Sequence, residues 1–231
     1  MESVLIAMID FHNHILPGID DGSSSISESI AMAKILVELG YNEIHCTPHI
    51  MSGFYNNNSK TIKNQCQKLQ QHIYENKIDL KLIPGFELYL DETYKKKMID
   101  CEDIIQKEIL VEGPIRSWPD YLDMILIDII ERGYIPIIAH PERNIVLQKD
   151  LSYIKKYRTM GCEIQCNILS MFGTYGKREQ NYIEELLVNN LVNYLGTDMH
   201  SAKVPISHYQ EAFSMIRSKV GNHGFMSLTR G

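Results

Sequence analysis

The sequence predicts a mixed α/β fold in which parallel strands alternate with helices. Short apolar segments and longer amphipathic segments succeed one another about seven times along the 231 residues, which is the order of strand–helix units in a parallel sheet. The apolar segments are mostly continuous, as expected of strands that helices cover on both faces. Either a barrel or an open doubly wound sheet would fit this pattern.

The individual elements follow from the local pattern along the chain. Each apolar segment bounded by polar or turn residues predicts a strand, at Val4–Ile9, Glu43–Thr47, Leu80–Pro84, Ile109–Val111, Ile135–Ala139, Glu163–Asn167 and Val192–Leu195. Each amphipathic segment predicts a helix, at Ser27–Leu39, Ser59–Asn76, Thr93–Lys107 (with an internal break), Pro119–Arg132, Leu151–Met160, Glu179–Asn189 and Ile206–Val220. Three of these helices are followed by glycine, a common helix C-terminus, at Gly40, Gly133 and Gly161.

The chain is expected to form a single domain over residues 1–231. No linker, repeat or low-complexity segment interrupts the order of elements. A chain of this length can bury a sizeable core without disulfide or metal staples. The last ten residues are expected to form a loose tail.

Charge and cysteine content restrict the function classes. A net charge of -6 lacks the basic footprint of nucleic-acid-binding modules. Five cysteines without a signal peptide indicate free thiols in a reducing compartment. No apolar segment approaches the roughly 18 residues of a membrane helix. We therefore expect a soluble, cytoplasmic protein with no nucleic-acid partner and no membrane insertion; these features do not indicate its oligomeric state.

Histidines and carboxylates follow six of the predicted strands. In parallel α/β folds the carboxyl ends of the strands meet on one face, so these side chains should converge although they lie far apart in the sequence. Residues two apart on an extended chain point the same way, which lets both histidines of His-Asn-His reach one ion. The strand-end residues are His12, His14, His49, Glu87, Glu112, His140, Asp198 and His200. The sequence therefore predicts a shared metal site.

The ligand types indicate the metal and the chemistry. Mixed imidazole and carboxylate ligands suit Zn, Mn or Fe better than Ca or Mg. A carboxylate such as Glu87 could hold two ions, which bind phosphate oxygens and lower the pKa of a bridging water. No cysteine has an arginine six positions after it, as a cysteine-nucleophile phosphatase would need. Metal-activated water is therefore the expected nucleophile in phosphate ester hydrolysis.

Two further groups have alternative interpretations. Arg143 follows His140 and offers a guanidinium that binds phosphate through two hydrogen bonds; its alternative role is a surface ion pair with Glu142. Asp20 and Asp21 stand between glycines and either form a turn or supply one carboxylate to a further ion. The sequence does not show which aspartate points inward.

The opening segment, residues 9–22, closely resembles the start of bacterial PHP-class (polymerase and histidinol phosphatase) tyrosine-protein phosphatases of capsule and exopolysaccharide loci. The family motifs continue in order at Thr47-Pro48-His49, Gly85-Phe86-Glu87, His140-Pro141-Glu142-Arg143 and Asp198-Met199-His200, and the resemblance covers residues 8 to 217. It implies a distorted, TIM-like (β/α)7 barrel, the PHP fold. It also implies hydrolysis of phosphotyrosine on a partner bacterial tyrosine kinase that regulates polysaccharide synthesis.

The resemblance also implies a set of ligands for two or three divalent ions, often manganese, with iron or zinc as alternatives. His12, His14, Glu87 and Asp198 would hold one ion, Glu87, Glu112 and His140 a second, and Asp21, His49 and His200 a third. Arg143, Glu112 and His140 would act in catalysis, with Arg143 on the phosphate. Family members commonly carry a second arginine after the Asp-x-His motif; here Lys203 is the only cation in that stretch and the candidate second substrate contact.

Two other functions remain open from the sequence. A small-molecule phosphatase of the same superfamily, such as one acting on histidinol phosphate, would have a more closed pocket. A metal-stabilised scaffold that binds a kinase tail would show peptide binding without hydrolysis.

Overall fold

Seven strand positions follow one another around a central ring in the computed structural model, which describes residues 8–229. Two of these positions are split into two short strands, so that nine strands occupy seven places. The strands are β1 Met8–Asn13, β2 Tyr41–Cys46, β3 His49–Ile50, β4 Lys81–Pro84, β5 Glu87–Tyr89, β6 Glu108–Glu112, β7 Ile135–Ala139, β8 Glu163–Asn167 and β9 Tyr194–Gly196. Every strand pair is parallel, as predicted.

Helices connect the strands and cover the outside of the ring. They are α1 Ile26–Glu38, α2 Ser59–Glu75, α3 Tyr94–Asp100, α4 Tyr121–Glu131, α5 Leu151–Met160, α6 Ile168–Phe172, α7 Lys177–Val188 and α8 Ile206–Leu228, with 3₁₀ turns at Glu102–Ile104, Pro141–Arg143 and Leu147–Lys149. None of the helices in the described part of the chain has the length and apolar character needed to cross a membrane.

Local sequence explains where the helices begin and end. The α1 helix begins after Ser25, whose side chain accepts a hydrogen bond from the Glu28 N–H. The α5 helix begins after Asp150 in the same way and ends at Gly161, whose φ of 103° lies in the left-handed region. The predicted break in the Thr93–Lys107 helix is confirmed, because α3 ends at Asp100 and a 3₁₀ turn follows.

The ladders form two sheets, with orders β1-β2-β4 and β3-β5-β6-β7-β8-β9. Backbone bonds from Gly85 N to Cys46 O (2.9 Å) and from Glu87 N to Pro48 O (3.1 Å) continue across the interruptions. At the other seam, Asp198 N donates to His12 O at 2.8 Å and His14 N to Met199 O at 3.1 Å. These bonds join the last strand position to the first, which makes the ring a distorted barrel.

The first strand and the end of the chain differ from their predictions. The strand begins at Met8 and runs to Asn13, with residues 4–7 of the predicted Val4–Ile9 strand outside the described residues. The strand continues past its apolar residues, because its buried polar side chains form hydrogen bonds across the barrel. In place of the expected loose tail, α8 turns at Gly221 (φ 72°) and continues to Leu228. Phe225 is fully buried, with its ring centroid 5.1 Å from that of Phe213.

Candidate metal centre

Two histidines of β1 and the loop after it point one ring nitrogen each into the barrel. The Nδ1 of His12 donates to Gln165 Oε1 at 2.9 Å, and the Nδ1 of His14 donates to Asp20 Oδ2 at 2.8 Å. These bonds select the tautomers in which both Nε2 atoms carry a lone pair. The two Nε2 atoms lie 3.0 Å apart, a distance at which facing lone pairs repel unless a cation lies near both.

Glu87 is fully buried and lies at the middle of the cluster. Its Oε2 lies 3.3 Å from His12 Nε2, 3.4 Å from His14 Nε2 and 2.9 Å from His49 Nδ1. Its Oε1 lies 3.1 Å from His140 Nε2. A carboxylate whose two oxygens face imidazoles on different sides is suited to bridge two ions.

The side nearest solvent is formed by Asp21 and two histidines. Asp21 Oδ1 lies 3.4 Å from His49 Nε2 and 3.5 Å from His200 Nε2. The other ring nitrogen of His200 donates to the Asp198 carbonyl at 2.9 Å, which leaves its Nε2 free to bind an ion. Of the two aspartates between which the sequence did not choose, Asp21 faces the cluster, whereas Asp20 orients His14.

Asp198 completes the inner part of the site. Its Oδ1 lies 3.4 Å from the Nε2 atoms of both His12 and His14, and its Oδ2 accepts from Asn167 Nδ2 at 2.7 Å and Arg143 Nη1 at 3.1 Å. Asp198 and His140 both have positive φ, at 50° and 34°. Non-glycine residues rarely adopt this conformation, and strained backbone of this kind concentrates at functional sites.

The electrostatics of the cluster favour bound cations. Burial raises the pKa of Glu112 to about 8, and the charge of Glu87 adds to this effect. A hydrogen bond from His200 lowers the pKa of Asp21 to about 2. Burial lowers the pKa of His12, but the charges of Glu87 and Asp198 outweigh it and raise that pKa to about 9. A divalent ion would replace these shared protons and neutralise the carboxylates more fully.

The donor atoms fit more than one ion. His49 Nδ1 and Glu87 Oε2 are buried without a hydrogen-bond partner, although they face each other at 2.9 Å. Four sets of residues offer donor atoms that, within each set, all lie within 4.8 Å of one another. The sets are His14, Asp21, His49 and His200; His12, His14 and Glu87; His12, His140 and Asp198; and His49, Glu87 and Glu112. All nine ligands expected from the sequence belong to these sets, so the barrel brings every one of them together.

A cavity of about 550 Å³ opens above the cluster. Arg143 lies on its wall, with the guanidinium 4.5 Å from the ring centre of Tyr175. Tyr55 forms another wall, where its ring stacks on His49 at 5.6 Å. The remaining walls are largely apolar. A cavity with cation-binding groups at its base and aromatic walls can hold a phosphorylated aromatic group.

Lys203, which the sequence suggested as a second substrate contact, does not line the cavity. Ser201 and Val204 line the cavity, but Lys203 between them is exposed and does not line it. Hydrogen bonds from Ser24 lower the pKa of Glu28, and the charge of Lys203 makes a smaller contribution in the same direction. The turn after His200 directs the lysine outward, so Arg143 is the cation that lines this cavity among the described residues.

Several residues that position the site were not identified from the sequence. Asp10 is fully buried and accepts hydrogen bonds from His12 N (3.3 Å), Thr197 N (2.8 Å) and Thr197 Oγ1 (2.6 Å), which fixes β1, where His12 lies, against the segment after β9 that carries Asp198. Gln165 and Asn167 bond to these same two site residues. The available signal was polar side chains within a predicted strand, as for Gln165 and Asn167, or directly after one, as for Asp10, because burial of such side chains requires hydrogen bonds.

The fold and the site together define a class of α/β-barrel protein with candidate metal ligands at the carboxyl ends of its strands. The chain belongs to the family described as "Capsular polysaccharide synthesis, CpsB/CapC", which it matches over residues 8–230. It is 31% identical over 220 residues to the tyrosine-protein phosphatase YwqE of Bacillus subtilis, covering 93% of this chain and 86% of that protein.

Solved structures agree with this assignment. The structure aligns with a TM-score of 0.88 and 30% identity to a chain from crystal structures of YwqE from Bacillus subtilis and CpsB from Streptococcus pneumoniae, described as metal-dependent tyrosine phosphatases; the match covers 96% of this chain and 91% of that one. A histidinol phosphate phosphatase from Lactococcus lactis aligns with a TM-score of 0.60 at 15% identity, covering 92% and 93% of the two chains. The two likenesses together confirm the predicted barrel-like α/β fold.

Proposed function

We propose that this chain is a metal-dependent phosphotyrosine-protein phosphatase that acts on a bacterial tyrosine kinase regulating capsular or exopolysaccharide synthesis. The observation that carries the proposal is the convergence of nine candidate ligands and Arg143 at the base and wall of one aromatic-lined cavity. The tyrosine-phosphatase names of the relatives support the reaction class. A cytoplasmic location belongs to the same proposal, because five free cysteines suit a reducing compartment.

The candidate ligands divide among two or three ions, for which manganese is our proposal and iron or zinc the alternatives. Glu87 would bridge, with His12, His14 and Asp198 on one side and Glu112 and His140 on the other, while Asp21, His49 and His200 would hold the most exposed ion. Bound divalent ions would supply an activated water and neutralise charge on the phosphate oxygens.

The remaining cavity residues bind and orient the substrate. Arg143 would donate two hydrogen bonds to phosphate oxygens, and its guanidinium is kept in place by the Tyr175 ring and by Asp198. Tyr55 would pack along the tyrosyl ring of the substrate, because it forms a wall of the cavity beside His49. A phosphoserine would leave this aromatic wall uncovered, which favours phosphotyrosine.

The direct test is phosphate release from a phosphotyrosine peptide with and without Mn²⁺. We expect Mn-dependent release by the parent chain and its loss in His140→Ala, since His140 faces the bridging carboxylate. His72→Ala is the matched control, because His72 lies on α2 with 40% of its side chain exposed. Full activity of His140→Ala would overturn the site assignment.

A small-molecule phosphatase is the second candidate. The cavity volume of about 550 Å³ and its open face suit a peptide-borne phosphotyrosine better than a small enclosed substrate. Parallel assays on histidinol phosphate and a phosphotyrosine peptide distinguish the two, with faster turnover of the peptide expected. Peptide binding without any hydrolysis in the presence of metal would instead indicate a scaffold.

A further inference from the structure

Exposed apolar side chains lie on the turn beside the cavity and on the outer face of α4. Phe54 on the Met51–Tyr55 turn is 77% exposed, and Tyr121 and Met124 on α4 are 48% and 73% exposed. The opposite face of α4 is buried in the core through Leu122, Ile125, Leu126 and Ile129. A helix that is apolar on its outer face as well as its inner face usually has a partner on the outside.

The turn that carries Phe54 links the cavity to a groove along α4. Met51 and Tyr55 line the cavity, and the turn that joins them is held to Thr93 by a hydrogen bond of 2.7 Å between Ser52 Oγ and Thr93 Oγ1. The residues on either side of Thr93 line a groove of about 450 Å³ that runs along α4. The lining residues of this groove are Glu92, Tyr94, Lys95, Tyr121, Met124, Ile125 and Asp128.

The turn that separates cavity and groove is well braced. Met51 N donates to Tyr55 O at 3.0 Å and Tyr55 N to Met51 O at 2.8 Å. Gly53 supplies the positive φ of 83° that the turn needs. The backbone that carries Phe54 is therefore held in one conformation, which reduces the entropy cost of binding at this turn.

We propose that Phe54, Tyr121 and Met124, here called the rim surface, bind the polypeptide that flanks the phosphotyrosine and select an apolar side chain near it. This inference rests on the proposed phosphatase function. Phe54 lies on the turn between Met51 and Tyr55, which both line the cavity, so a chain that flanks a bound phosphotyrosine on this side would pass beside it. A second copy of this chain is the less suitable occupant, because a stable interface uses roughly 20–30 residues a side.

The test compares two phosphopeptides on the metal-loaded chain. One is a capped tripeptide with alanine on each side of phosphotyrosine, and the other has fifteen residues with leucine at alternate flanking positions. In the double variant Phe54→Ser/Met124→Ser we expect kcat/KM for the long peptide to fall about tenfold, through KM, since exposed apolar anchors carry much of such binding. The tripeptide should react as with the parent chain. Tyr74→Ser is the matched control, because Tyr74 is also 77% exposed but lies on α2.

Other outcomes overturn the inference. An equal fall in kcat/KM for both peptides would place the residues in the catalytic machinery. An unchanged kcat/KM for the long peptide would show that the rim surface is not a docking site. A lower mass of the variant in sedimentation would identify the surface as a contact between copies. Binding of a long peptide with a non-hydrolysable phosphonate, read by fluorescence anisotropy, separates docking from catalysis. If the parent chain hydrolyses neither peptide, the proposed function fails, and tenfold weaker anisotropy binding by the variant would still support docking.

Discussion

Replacing Asp20 by alanine tests whether the histidines are oriented for metal binding. Asp20 accepts three hydrogen bonds, from His14 Nδ1 (2.8 Å), Gly22 N (2.9 Å) and His49 N (3.1 Å). The first selects the tautomer of His14, and loss of such a bond typically weakens metal affinity 10- to 100-fold, or about 1.4–2.7 kcal/mol. The other two leave backbone donors without partners, at about 1 kcal/mol each.

We therefore expect Asp20→Ala to bind Mn²⁺ 10- to 100-fold more weakly in a chelator-competition titration. Its melting temperature should fall by about 4–8 °C, since about 2 kcal/mol is lost in a chain of this size. Asp150→Ala is the control, because Asp150 caps α5 with a comparable bond to Ser152 N (2.8 Å) and takes no part in the site. If folded Asp20→Ala bound Mn²⁺ with the parent's affinity, the tautomer argument would be wrong.

Four further outcomes follow from other parts of the structure. Arg143→Lys should lower kcat/KM on p-nitrophenyl phosphate by about 10- to 100-fold, because a lysine lacks the two-pronged contact, whereas Lys203→Ala should leave steady-state kinetics unchanged. Chelation with EDTA should lower the melting temperature by about 5–10 °C for each ion removed, where the free ion had been present at 100 times its Kd. Adding Mn²⁺ should restore the melting temperature, and an unchanged melting curve would contradict a metal centre. Phe225→Ala should lower the free energy of unfolding in urea by about 3–5 kcal/mol, because the Phe225 ring is fully buried. A loss below about 1 kcal/mol would indicate that the last residues form a loose tail after all. Iodoacetamide should not abolish activity of the native chain, because all five cysteines are buried and none lines the cavity; inactivation with one adduct would indicate a thiol mechanism.

Much of the fold could be predicted because its strands are apolar and covered on both sides. β7 (Ile135–Ala139), β8 (Glu163–Asn167) and α5 (Leu151–Met160) have the predicted bounds. The interruptions at Thr47-Pro48 and Gly85-Phe86 could not be predicted, since they depend on how neighbouring strands pair rather than on local hydrophobicity. The short helix Ile168–Phe172 was also missed, because five buried residues carry no helical period.

The candidate site was predictable to the level of which residues converge, but not how each side chain turns. Parallel strands bring their carboxyl ends together whatever the loops do, and this placed His49, Glu87 and His140 correctly. The choice between Asp20 and Asp21 depends on a turn stabilised by Gly22 N and His49 N, which sequence spacing does not encode. Lys203, expected as a substrate contact, lies outside the cavity lining for the same reason, because a loop position does not determine the direction of a side chain.

The seam where the last strand position meets the first has a consequence for biosynthesis. His12 and His14 emerge from the ribosome well before Asp198 and His200, whose segment closes the barrel against them. Until that segment is made, the nascent chain exposes a partial set of imidazoles that is able to capture the wrong ion. Cells that control free copper and zinc tightly would protect this interval, and the ion finally retained depends on what is available when the last segment docks.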